Sequence, residues 1–177
     1  YLVTEEGLSG RTTVFPDPLH ESMDTLPVLY ALLKSHEAVD LLILMLGTND
    51  TKERLGANAT CIGLGMERLV RKALSVDCWG DHAPNVLIVS PPPIGPELDD
   101  PAMGRGCAEK SAGLAREYAA VAERLGCHFL DAAGCEFNRV DFMHLSRRGH
   151  AQLAERLAAL DGLRVRASFR VHVFWRR

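Results

Sequence analysis

Long apolar runs are scarce in this chain of 177 residues. The longest, residues 41–46, falls far short of the roughly 20 that a membrane-spanning helix needs. No basic segment followed by an apolar stretch stands at the start, so no secretory signal is read there. Aromatic residues make up only 6 %, yet apolar residues reach 47 % and charged ones 24 %, which excludes a disordered chain, a collagen-like repeat and a coiled coil. Cysteine is sparse and odd in number: Cys61, Cys78, Cys107, Cys127 and Cys135 form no close pair. Such spacing supports neither a metal site nor a disulfide framework, and it leaves buried or free thiols in a reducing, cytoplasmic setting as the expectation. Methionine is missing from position 1. The chain opens at Tyr1, inside what reads as a strand, and its true start is expected upstream.

Excess positive charge is lacking as well. The net charge is −3, and residues 161–177 hold five Arg against one Asp, +4, which leaves −7 for residues 1–160. An acidic body of this kind excludes a nucleic-acid-binding face there and gives no membrane surface to expect. The length suits one α/β domain, with roughly 70 % of the unfolded surface available for burial.

What is present is an alternation. Residues 39–46 form a nearly continuous apolar run, as expected of a parallel strand covered on both faces. Ile62, Met66, Leu69, Val70, Ala73 and Leu74 then recur at helical spacing. A second strand is predicted over 86–89, a long Ala-rich helix over 108–125, a short strand over 128–130, and a helix from Ser146 to about residue 160. An earlier helix over 26–33 has Asp24 or Thr25 as its cap and Pro27 in its first turn. The repeated order predicts a parallel sheet with helices on both faces. Ligands bind such sheets beyond the carboxyl ends of the strands, and four polar stretches fall there: residues 7–13, 47–50, 90–93 and 141–144.

Asp141 and His144, three apart in a loop, suit a carboxylate that accepts from one imidazole nitrogen and leaves the other as a general base. A turn cap beside a surface histidine is the plainer reading of the same spacing. Asn49, after a strand-end glycine, is placed to donate to an oxyanion or simply to make a turn. Gly10 offers a backbone N–H that no side chain shields, or a turn glycine. Arg11 either lines the cleft or is a surface cation. His20, His36, His82, His128 and His150 show no ligand spacing and read as structural or solvated.

Together, Gly10 in EGLSGRTT, Asn49 in LGTND, and Asp141 with His144 in DFMHLSRRGH resemble blocks II, III and V of the SGNH (GDSL-type) hydrolases, in order over residues 1–160. LMLGTNDTK and VLIVSPPPIGP look most like the arylesterase and acyltransferase branch. The resemblance implies a flavodoxin-like three-layer α/β/α fold and hydrolysis of small carboxylic esters through an acyl-enzyme. Acyl transfer to alcohols is a second outcome, and no metal or organic cofactor is implied. Carried over by position, His144 is the general base, Asp141 orients it, and Gly10 and Asn49 are oxyanion donors.

The family's nucleophile is the Ser of a Gly-Asp-Ser motif after its first strand, and no Gly-Asp-Ser occurs in these 177 residues. Ser9, Ser90 and Ser146 are poor substitutes, Ser146 being a helix cap. The resemblance therefore implies an N-terminally truncated hydrolase domain over 1–160. Its first strand, which lies between the second and third, is missing, and its absence opens a gap in the core. Residues 161–177 alternate polar and apolar positions. They read as a half-exposed edge strand or a non-native extension, too polar on one face to replace a strand buried on both. The alternative from another class is a catalytically inactive, ligand-binding α/β domain.

Overall fold

Short apolar stretches build the centre of the molecule. In the computed structural model, which describes residues 2–160 and 170–174, β2 (Leu41–Leu44) and β3 (Val86–Ser90) are buried at every position. They lie side by side and parallel, with Leu42, Ile43 and Leu44 opposite Val86, Leu87 and Ile88. β4 (His128–Asp131) pairs parallel with the far side of β3, and β1 (Leu2–Glu5) forms the opposite edge of the sheet.

Alternate residues of each strand feed two cores, as the period-two geometry of a strand requires. On one face Leu42, Leu44, Val86 and Ile88 meet α1 (Leu26–Ser35), α2 (Ala59–Leu74) and α4 (Leu114–Leu125). On the other face Leu41, Ile43, Leu87 and Val89 meet Leu153 and Leu157 of α5 (Arg147–Ala158). Helix, sheet and helix make three layers, the expected α/β arrangement.

Local signals set the helix ends. The Asn58 side chain accepts from the Cys61 N–H at 2.8 Å to start α2, and Ser146 accepts from the Gly149 N–H at 3.1 Å to start α5. Thr25 precedes α1, but its hydroxyl donates to the Thr12 carbonyl at 2.7 Å and not to its own helix. The long helix expected over 108–125 is two: α3 (Cys107–Ala112) and α4 part at Gly113, where a Cβ would stand 2.8 Å from that of Ala59.

The largest departure from expectation is the last strand. β5 (Arg170–Phe174) is no edge: the sheet order is β1-β5-β2-β3-β4, with β5 parallel to both of its neighbours. It occupies the position at which a gap was expected. Its apolar residues suffice for both faces, since Val171 and Val173 pack into the α5 core while Phe174, fully buried, packs into the other. The rest of the tail pattern, residues 161–169 and 175–177, lies outside the described residues.

Candidate active site

Because all five strands run parallel, the loops leaving β1, β2 and β3 open on one edge. There they surround a cavity of about 440 Å³. Gly10, Asn49 and His144 all line it, so three of the four expected residues meet at one place, and Asp141 stands behind His144.

The Asp141–His144 loop is built from nested side-chain turns. Asn138 Oδ1 accepts from the N–H groups of Val140 and Asp141, and Asp141 Oδ1 accepts from those of Met143 and His144. The second Asp141 oxygen lies 2.9 Å from His144 Nδ1. A carboxylate there makes Nδ1 the proton-bearing nitrogen and leaves Nε2 open. Burial pushes the Asp141 carboxyl up, but the His144 backbone and ring together with the Met143 N–H outweigh it and hold the carboxyl at about 2. Phe142 takes a left-handed backbone, φ 52°, to bring His144 back over Asp141. Its carbonyl accepts from the Gly95 N–H at 2.8 Å, tying this loop to the Pro-rich segment after β3.

Gly10 has φ 93°, a conformation that side-chain-bearing residues rarely adopt, and its N–H has no partner among the described residues. The Asn49 amide donates to the Arg11 carbonyl at 3.2 Å, which holds it against the Gly10 loop with its second N–H still to give. Asp50, fully buried, fastens the same two loops: its carboxylate accepts from the Thr13 N–H at 3.0 Å and from the Thr13 hydroxyl. Burial raises the Asp50 carboxyl to about 6 against the downward pull of those bonds.

Of the serines weighed as nucleophiles, Ser9 lines the cavity, Ser90 is buried with its hydroxyl 3.4 Å from the Pro91 carbonyl, and Ser146 caps α5. Arg11 lines the cavity and is buried, which settles its two readings. His20 and His150, read from sequence as structural or solvated, also line it, as do Lys52 and Arg54. The two cations stand two and four residues after the end of LGTND, a position that pointed toward the cavity; the histidines carried no signal of spacing. Among the described residues no group of His, Cys, Asp and Glu is placed to hold a metal ion, and no helix is long and apolar enough to cross a membrane.

An imidazole and unpaired N–H donors at the carboxyl edge of a parallel sheet suit α/β enzymes that work at an acyl carbon. The chain belongs to the GDSL-like lipase/acylhydrolase family, whose model matches residues 1–152. It is similar to the M. smegmatis aryl esterase, with 36 % identity, 88 % of this chain and 77 % of that one covered, and a TM-score of 0.76. It is similar too to Est24, a carbohydrate acetylesterase from Sinorhizobium meliloti, at 38 % identity over 87 % of this chain and 76 % of that one, again with a TM-score of 0.76. No curated protein matches the chain significantly.

Proposed function

We propose that this site acts on small carboxylic esters through an acyl-enzyme, the acyl group passing to water or to an alcohol. The observation that carries the reading is that the Asp141–His144 pair opens onto the cavity bordered by Gly10 and Asn49. His144 Nε2 takes the proton of an attacking hydroxyl while Asp141 keeps Nδ1 protonated and steadies the imidazolium. The hydroxyl oxygen bonds to the acyl carbon, and the carbonyl oxygen gathers charge against the Gly10 N–H and the second Asn49 N–H. Donors of this kind are worth roughly 3 kcal/mol each. His144 then protonates the departing alcohol, and a water or alcohol repeats the cycle on the acyl group.

The hydroxyl that attacks first is not held in a Gly-Asp-Ser setting by these residues. Ser9 borders the cavity on the loop that supplies the Gly10 donor, so it is read as part of the oxyanion wall. The name of one similar structure, a carbohydrate acetylesterase, supports a small acyl group. The five cysteines are free thiols, which supports a cytoplasmic setting. A ligand-binding domain without turnover is the second reading, favoured by the lack of Gly-Asp-Ser.

Ester hydrolysis separates the two. A chimera carrying a Gly-Asp-Ser strand ahead of residue 1, in place of residues 161–177, is expected to hydrolyse a small acetyl ester. His144→Ala in that chimera is expected to lower turnover by about 10²–10⁴-fold. A folded chimera without turnover, or with turnover indifferent to His144→Ala, contradicts the esterase reading.

A further inference from the structure

Arg11 is 6 % exposed and lines the cavity, and its Nε and Nη1 have no hydrogen-bond partner among the described residues. Its guanidinium stays charged in any protein setting, and a buried charge without an acceptor is strongly unfavourable. Glu6 and Asp24 act on it at longer range, without a bond.

A second cation stands close by. Lys52 is buried, and its Nζ lies 3.9 Å from where a Cβ on Gly10 would stand. Its bond to Asp17 Oδ2, at 3.2 Å, is shared: Arg54 takes the same carboxylate through Nε at 3.0 Å and Nη2 at 2.7 Å. One carboxylate thus bonds two cations, and among the described residues Arg11 bonds to none. Among the described residues that line the cavity, Arg11, Lys52 and Arg54 face a single acid, Asp100, in a body that is otherwise acidic.

We propose that Arg11, backed by Lys52, is a carboxylate-binding subsite of this cavity. A guanidinium fork matches a carboxylate through two parallel N–H donors. Nε and Nη1 lie on different edges of the guanidinium, so each makes such a fork together with Nη2. Both are shielded from solvent, so binding turns the guanidinium toward the cavity it already lines, and no side-chain bond found among the described residues has to break. Set beside the Gly10 and Asn49 donors, the subsite favours an ester whose far end carries a carboxylate, a dicarboxylic hemiester, or the acid that hydrolysis releases. The use of the bound carboxylate rests on the esterase reading; its binding does not.

The test therefore needs no turnover. The chain is titrated with monomethyl succinate, its neutral counterpart dimethyl succinate, and acetate, with backbone amide shifts followed by NMR. Binding of monomethyl succinate at least ten-fold tighter than dimethyl succinate, with the largest shifts at Gly10, Arg11 and Asn49, supports the subsite. Equal affinities, or shifts confined to other parts of the surface, overturn it. Acetate as tight as monomethyl succinate assigns the subsite to the product acid, and weaker acetate assigns it to the far carboxylate of a hemiester. Arg11→Met is expected to abolish the preference and Arg11→Lys to retain part of it. Should Arg11→Met unfold, the comparison of ligands on the unaltered chain still decides.

Discussion

Asp50 and Asp141 both serve the cavity, and their environments move them in opposite directions. Asp50, its carboxyl raised to about 6 by burial, keeps a proton in the folded state that the unfolded chain releases near the ordinary value of 3.8. Its contribution to stability therefore falls as pH rises from about 4 to about 6 and is constant above. Asp141, held at about 2, contributes stability above the ordinary value that is lost as pH falls through about 2. Urea denaturation at a series of pH values should show Asp50→Asn gaining on the unaltered chain between pH 4 and 6. Parallel curves would mean that the Asp50 carboxyl is not shifted upward. That Gly10 and Asn49 would border one cavity could be read from residue type and place after a strand. The Asp50–Thr13 bond between them could not, because it joins two residues whose loops meet only in the folded sheet.

At the scale of elements, glycines mark where segments press closest. A Cβ on Gly149 of α5 would stand 1.8 Å from the Glu136 carbonyl oxygen, a backbone atom with little room to yield. Gly149→Ala should cost more than about 3 kcal/mol or prevent folding, whereas Ser146→Ala, which removes the α5 cap, should cost about 1 kcal/mol. Thermal denaturation ranks the two, and equal small effects would place α5 elsewhere. Helices and strands were largely legible: residues 62–74 recur at helical spacing, 86–89 form a short apolar run and 128–130 read as a short strand, and α2, β3 and β4 contain them. The close approach at Gly113, where the two helices part, was not legible, because its partner Ala59 lies more than fifty residues away in sequence.

For the whole molecule, β5 matters most. A period-two pattern with Arg and His on one side argued for an edge, but burial follows the neighbours a strand finds. Val171, Val173 and Phe174 reach both cores from between β1 and β2. Phe174→Ala should therefore cost about 3–5 kcal/mol, as for other large buried side chains. A denaturation midpoint unmoved by that change would remove β5 from the sheet interior.

Labelling with a fluorophosphonate probe, followed by peptide mass spectrometry, tests the central claim most directly: that the chain holds the base and oxyanion parts of an ester site without the attacking serine. The account predicts no stoichiometric adduct on the chain as it stands. In the Gly-Asp-Ser chimera it predicts one adduct, on the supplied serine and lost in His144→Ala. A stoichiometric adduct on Ser9 or Ser90 of the unaltered chain, dependent on His144, would contradict it and show that the cavity carries a nucleophile of its own.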